Sequence, residues 1–309
     1  MNQRKTRNSK LENRNSVTVR IPASTSNLGP GFDTLGIALK LYNFVRVTRV
    51  EGEGLDLISP LAEPAREAAT TMLNEAAKLF FRRAGKKEIA IDVSLGGEVP
   101  IARGLGSSVT LRLGVIAALN ELMRARLSKE QLLEMIAELE HHPDNAAPAI
   151  FGGFTVAGMA GNSVRCLNFP VSARLKFVAL IPRFEVSTEK ARALLPLKYS
   201  RTDTAHNLNR AALISAAFTS GNYAALRGLF DDRVHQPYRE RLIPQLSCVI
   251  RAGEDAGAIG GWLSGSGSTI ICVTMGEPPA VARAMQKQLP DSDVKILMAD
   301  NEGFRINGS

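Results

Sequence analysis

Alternation of apolar and polar residues marks the first ordered stretch of the chain. Ser16-Val-Thr-Val-Arg-Ile21 alternates strictly and predicts a half-buried strand. Phe44-Val-Arg-Val-Thr-Arg-Val50 and Ile89-Ala-Ile-Asp-Val-Ser-Leu95 repeat the pattern. Leu175-Lys-Phe-Val-Ala-Leu-Ile181, Thr269-Ile-Ile-Cys-Val273 and the stretch from Val294 to Met298 read as more buried strands, and Phe151-Gly-Gly-Phe-Thr-Val156 begins another. Helical spacing lies between them. From Thr70 to Ala84, Leu73, Ala76, Ala77, Phe80 and Phe81 share one side. Val109 to Leu127 is apolar at the same period. Ser128 is placed to cap a helix from Lys129 to Glu140, with Gln131 completing a capping box. Ser187 is placed to cap a short helix reaching Leu195. Further helices are predicted over Asn207 to Phe218, Tyr223 to Phe230, Leu242 to Ala256 and Ala280 to Gln288.

Three glycine-rich polar loops interrupt this pattern. Pro22-Ala-Ser-Thr-Ser-Asn-Leu-Gly-Pro-Gly-Phe-Asp33 sits between two apolar segments and predicts no regular element. Polar groups held there must be hydrogen-bonded or face a ligand, and Asn27 and Asp33 are the candidates. The second loop, Pro100-Ile101-Ala102-Arg103-Gly104-Leu105-Gly106-Ser107-Ser108, runs from a strand into a helix. Its glycines permit sharp bends and close backbone approach. Ser107 and Ser108 fall at the helix start, where unpaired N–H groups and the dipole favour a phosphate, with Arg103 adding charge. The loop matches neither a Walker A motif nor a dinucleotide fingerprint. The third loop, Gly257 to Ser268, leads into an apolar strand. It is either a hairpin or a backbone that lies against a substrate.

Glu140-His-His-Pro-Asp-Asn145 gathers carboxylates, imidazoles and an amide beyond the helix that Pro143 ends. Its ligands are adjacent rather than spaced for zinc, whereas Mg²⁺ held by one carboxylate plus substrate phosphate suits it better.

The 309 residues are 45% hydrophobic and 22% charged, an ordinary globular profile. No apolar run reaches the roughly 20 residues that span a bilayer, and no secretory signal opens the sequence. Cys166, Cys248 and Cys272 are too scattered for a metal site or disulfide framework, so a reduced cytoplasm is expected. The net charge of +8 suits anionic substrates. Part of it lies in residues 1–15, expected to be a disordered basic arm. Neither nucleic acid nor a membrane is expected as a partner. The expected units are residues 16–168 and 169–309.

In this order, the loops at Pro22–Asp33, Pro100–Ser108 and Leu263–Thr269 resemble the signature set of the GHMP kinases. The string His142-Pro-Asp-Asn145, Gly152-Gly153, Asn207-Leu-Asn-Arg210 and His235-Gln-Pro-Tyr-Arg239 extend the likeness over residues 17 to 300. The resemblance implies a two-domain α+β fold, with a left-handed β-α-β crossover in the N-terminal domain and a ferredoxin-like C-terminal domain. It implies ATP phosphates on the loop Pro100–Ser108 and Mg²⁺ on Ser108 and a carboxylate, Glu140 before Glu138. Asn27, Asp33, His142, Asp144, Arg210, Arg239 and Gly265 match an amino-acid pocket, with Asp33, Asn27 and Arg210 closest to catalysis. The implied reaction is transfer of the ATP γ-phosphoryl group to the side-chain hydroxyl of L-homoserine, a step towards threonine. Alternatives are threonine or an isoprenoid alcohol as acceptor, or a non-catalytic member that binds ATP or an amino acid. A homodimer is the expected assembly. The sequence departs from the family pattern in three places. Val109-Thr110-Leu111 replaces a small alanine-rich helix start, and Val109 is expected to crowd the nucleotide. His141 stands where glycine is commoner. Ser266 and Ser268 replace alanine and proline.

Overall fold

The structure, a computed structural model, describes residues 15–161 and 163–307. The basic arm expected over residues 1–15 therefore lies, except for Asn15, outside the described residues. Two sheets organise the chain. The first contains β1 (Ser16–Ser26), β2 (Leu35–Arg49), β3 (Leu55–Leu57), β4 (Ile91–Gly97), β5 (Phe154–Ala160) and β6 (Ser163–Phe169). β1, β2 and β4 pair antiparallel in that order, while the β5–β6 hairpin branches from β2. β3 lies parallel to β4 and reaches it through α1 (Ala65–Ala84), a β-α-β unit.

Alternation along β1 and β2 sends Val17, Val19, Ile21, Val45 and Val47 to one face. There they meet α1, α2 (Ser107–Leu122), α3 (Lys129–Glu140) and α4 (Ala146–Phe151) through Leu73, Phe80, Leu113, Ile116, Ile136 and Ile150. Gly114 admits the closest contact: a Cβ there would sit 2.4 Å from Val45 Cγ2. Ser128 caps α3, and the reciprocal bond from Gln131 completes the capping box expected from the sequence.

The second sheet holds β7 (Lys176–Pro182), β8 (Gly260–Leu263), β9 (Ile270–Thr274) and β10 (Ser292–Leu297), ordered β10-β7-β9-β8 and antiparallel throughout. α8 (Leu246–Asp255) precedes β8, and α9 (Pro278–Gln288) joins β9 to β10. That is the split β-α-β order of a ferredoxin-like unit. Val178, Leu180, Val249, Val281 and Met285 pack between this sheet and its two helices. Phe177, Trp262 and Ile271 on the other face join Leu39 and Phe154 of the first sheet in a shared core. A last strand, β11 (Arg305–Asn307), returns to pair with β1. Between β7 and α8 run α5 (Thr188–Ala193), α6 (Arg201–Ser220) and α7 (Gln236–Arg239).

Several boundaries differ from the sequence pattern. β1 continues to Ser26, through half of the loop expected at Pro22, because the register shifts between Pro22 and Ala23. The shift absorbs the missing proline N–H. The apolar runs around Leu35 and Phe44 form one 15-residue strand. α2 stops at Leu122 rather than Leu127, and Tyr223–Leu226 is only a 3₁₀ turn. Phe151 ends a helix rather than opening a strand, since the left-handed Gly152 and Gly153 make the turn into β5. Both glycines press on neighbouring backbone that a Cβ would strike.

Ser128→Ala removes a cap and should lower stability by about 1 kcal/mol. Leu73→Ala empties a fully buried position and should cost about 3 kcal/mol. Urea denaturation of both variants reads this ranking directly.

Candidate active site

Backbone packing brings the three glycine-rich loops together. Gly104 has φ of 74°, and a Cβ there would lie 2.1 Å from the Ser264 carbonyl oxygen. Gly106 has φ of 72°, and its Cβ would lie 2.3 Å from Ser24 Oγ. Ser264 Oγ donates to the Gly104 carbonyl at 2.6 Å, and Thr269 N–H donates to the Arg103 carbonyl at 3.1 Å. Ser24 N–H donates to the Leu105 carbonyl at 3.1 Å. The two glycines thus serve loop-on-loop contact, with any ligand held beyond it.

α2 starts on this junction and opens into a cavity of about 600 Å³. Its N-cap, Gly106, supplies no side-chain acceptor for the first-turn amides. Ser128, Ser187 and Ser200 by contrast cap α3, α5 and α6. The mouth of α2 is therefore a bare, positively polarised helix end facing open space.

Three sets of side chains line the cavity. Leu61, Ala65, Ala68, Ala69, Met72, Leu95, Val99 and Leu111 form an apolar wall. Gly104, Gly106, Ser107, Ser108 and Glu140 surround the helix mouth. Asn27, Asp33, His142, Asp144, Arg192, Arg239 and Gly265 form a charged end.

Of the second loop, Ile101, Ala102, Gly104, Gly106, Ser107 and Ser108 face the cavity; Pro100, Arg103 and Leu105 do not. Leu105 is buried in the core. Arg103 donates to the carbonyls of Pro182, Ile101 and Arg183, so it braces β7 rather than meeting a phosphate. Ser108 Oγ donates to Glu140 Oε2 at 3.0 Å, and Arg112 Nη1 meets Glu140 Oε1 at 2.5 Å. Glu138, the sequence alternative, pairs instead with Arg82 and Arg83 at the surface. Val109 is buried in the core and does not line the cavity, so the crowding expected of it does not arise there. Thr110 receives a bond from Asn43, while Leu111 is the departure that does face the cavity. His141 occupies the left-handed C-cap of α3 at φ 66°, the conformation that favours glycine there.

At the charged end, the side chain of Asn27 joins two loops. Its Oδ1 accepts from Asp33 N–H at 3.0 Å, and its Nδ2 donates to the Gly265 carbonyl at 3.1 Å. Asp33 receives both Nη groups of Arg192, at 3.1 and 2.7 Å. Arg239 also donates to the Gly265 carbonyl, at 2.9 Å. Burial and the neighbouring Arg192 push Arg239 down to about 10, which leaves it cationic at neutral pH. Burial works against a charged His142, yet the Asp144 and Asp33 carboxylates lift it above 6.5. Burial would raise the Asp144 carboxyl, but His142, Ser26 and Arg192 hold it below 3.8. Ligand atoms of Asp33, His142 and Asp144 lie within 4.8 Å of one another, but Arg192 and the His142–Asp144 bond already engage them.

Arg210 lies outside this lining; its nearest carboxylate is Asp231 at 3.9 Å. Arg192, overlooked in the sequence, stands in the cavity instead. The available signal was its place four residues beyond Thr188 on the short helix capped by Ser187.

A buried polar layer backs the charged end. Asp232 accepts from Asn207 Nδ2 and from the N–H groups of Val234, His235 and Gln236. His235 stacks on Phe32 at 5.2 Å, and its Nε2 donates to the Gly29 carbonyl at 2.8 Å. Its Nδ1 accepts from Arg239 Nη1 at 3.3 Å. Both ring nitrogens are therefore used by the neutral imidazole, and burial keeps His235 below its ordinary 6.5.

The pattern of GHMP kinases N terminal domain matches residues 71–153, and that of GHMP kinases C terminal matches residues 213–291. The chain belongs to the GHMP kinase family. Among its relatives, a homoserine kinase of Caldicellulosiruptor saccharolyticus is 38% identical over 297 residues, 94% of this chain and 96% of that one. A homoserine kinase of Deinococcus radiodurans is 43% identical over 255 residues, covering 82% and 83%. The crystal structure of homoserine kinase from Cytophaga hutchinsonii matches with a TM-score of 0.85 at 25% identity, over 95% of this chain and 98% of that chain. A mevalonate kinase structure shares the fold, with a TM-score of 0.66 at 15% identity over 92% of this chain and 99% of that one. Among the described residues, no helix is long and apolar enough to cross a membrane.

His235 is held neutral when folded, so the unfolded chain binds its proton more readily. Its contribution to stability is present above pH 6.5 and falls as pH drops from there towards the lower folded value. The stability difference between wild type and His235→Gln, measured by denaturant unfolding from pH 8 to pH 5, should shrink on the acid side.

Proposed function

We propose that the chain transfers the γ-phosphoryl group of ATP to the side-chain hydroxyl of L-homoserine. The observation that carries this reading is the uncapped mouth of α2 opening into the same cavity as a carboxylate–guanidinium cluster. One part suits a polyphosphate and the other a zwitterion. Arg192 and Arg239 favour an acceptor with a carboxylate over an isoprenoid alcohol.

In this reading the wall of Leu61, Ala68, Ala69, Met72 and Leu111 takes the nucleoside, and the first-turn amides of α2 take the phosphates. Ser108 and Glu140 fit a divalent cation: a hydroxyl and a carboxylate meet at 3.0 Å on the lining, the hard oxygen pair that Mg²⁺ accepts alongside phosphate oxygens. An ion held by Ser108 and Glu140 would supply charge neutralisation for the phosphates. The chain's own part is positioning and electrostatics, as a loose phosphoryl-transfer transition state requires. Arg239 and Arg192 orient the substrate carboxylate. Asp33 receives the ammonium, which fixes where the hydroxyl points. Asn27 holds Asp33 and Gly265 in register. His142 is engaged with Asp144 and serves as a fixed wall of the pocket.

Asp33→Asn should lower turnover by on the order of a hundredfold through lost orientation. Arg239→Met should raise KM for homoserine while leaving KM for ATP within about twofold, since only the amino-acid end is touched. ADP release measured with homoserine, threonine and serine tests the proposal. Fastest turnover on threonine or serine, or none on any of the three, would overturn it.

A further inference from the structure

One cation near the helix mouth has no part in the scheme above. Arg112 lies one turn into α2, four residues beyond Ser108 and on the same face. Its Nη1 meets Glu140 Oε1 at 2.5 Å, and its Nη2 meets Glu75 Oε2 on α1 at 3.0 Å. Ser108 Oγ holds the other oxygen of Glu140. The Arg112 and Glu140 side chains are only 13% and 10% exposed, so solvent screens their attraction weakly. The buried Nε of Arg112 has no partner among the described residues, so the two carboxylates alone hold the guanidinium.

We infer that Arg112, which backs the cavity through Glu140 rather than lining it, offsets the charge of Glu140 and so sets how strongly the site depends on a divalent ion. This rests on the reading of Ser108 and Glu140 as the ion's protein ligands. Two consequences of opposite sign follow from charge alone. A divalent ion on Glu140 meets a guanidinium already on the same carboxylate, so its affinity is held down. A polyphosphate arriving without metal meets a neutralised Glu140 rather than a bare anion, so its affinity is held up. Glu75 divides the guanidinium between two carboxylates and moderates both effects. A plain interhelical clamp would predict neither sign.

Arg112→Gln keeps a shorter, hydrogen-bonding side chain and removes the charge. Two measurements avoid turnover: Mn²⁺ binding to the enzyme saturated with AMP-PNP, read by electron paramagnetic resonance, and calorimetric binding of AMP-PNP in excess EDTA. The variant should bind Mn²⁺ about fivefold more tightly and metal-free AMP-PNP about fivefold more weakly. Arg112→Lys, which retains the charge, should stay near wild type in both. Should Arg112→Gln fail to fold, Glu75→Gln supplies the opposite test: the undivided guanidinium should weaken Mn²⁺ binding. Weakening of both ligands by Arg112→Gln, or no change in either, overturns the inference. Glu140→Gln separates the two layers. If it leaves Mn²⁺ binding as in wild type, the metal assignment itself fails. If it abolishes Mn²⁺ binding while Arg112→Gln changes nothing, only the role of Arg112 fails.

Discussion

Everything in this molecule depends on how closely two turns of backbone can lie against each other. The carbonyls of Arg103 and Gly104 are claimed by Thr269 and Ser264, from a loop more than 150 residues later in the chain. No side chain fits in that gap at Gly104. The contact sets where α2 begins and therefore where its free amides point. It also delivers the Gly265 carbonyl to Asn27 and Arg239. A bare helix end and a charged amino-acid pocket are far apart in sequence, and this backbone junction gives them a common cavity.

Energetically the site is a set of charges that would be expensive singly and are tolerable together. Asp144, Arg239, Asp232 and His235 are almost wholly buried. Each meets a partner: Asp144 meets His142, Arg239 meets the Gly265 carbonyl and His235, and Asp232 meets a row of N–H groups. Phe32 supplies an aromatic face within 5.5 Å of Arg192 and 5.3 Å of Arg239. Such networks fix geometry more than they add stability, because desolvation consumes much of the Coulomb gain.

The sequence made much of this legible, and for identifiable reasons. Period-two and helical patterns exposed β1 and α1, because each buries one face, and continuous apolar runs exposed β7 and β9, which are buried on both; β8 lay hidden inside the glycine-rich stretch Gly257 to Ser268. The capping box at Ser128 was readable since all its members lie within four residues. The family resemblance ranks Glu140 before Glu138, and Glu140 is the one that accepts from Ser108 Oγ. What was hidden depends on distant contacts. Val109 and Leu111 are two residues apart on one helix, and only packing against the first sheet turns the former inward. Arg103 and Arg210 both looked like anion ligands, as any arginine near a motif does. Carbonyls at the end of β7 claim the first, and Asp231 lies nearest the second. Arg192 sits on a six-residue helix too short to show a period, so its place four residues beyond Thr188 is the one local sign of its role.

The return of β11 to β1 changes how the two sheets are held together. The polypeptide leaves the first sheet after β6, builds the entire second sheet, and comes back to hydrogen-bond along the first strand it made. The later unit is thus stitched to the first sheet at both ends of its chain, like a page sewn along two margins. The short stretch bearing Thr188 and Arg192 is held from both sides, through Ala191 in the core of the second sheet and through the Arg192–Asp33 pair in the first loop.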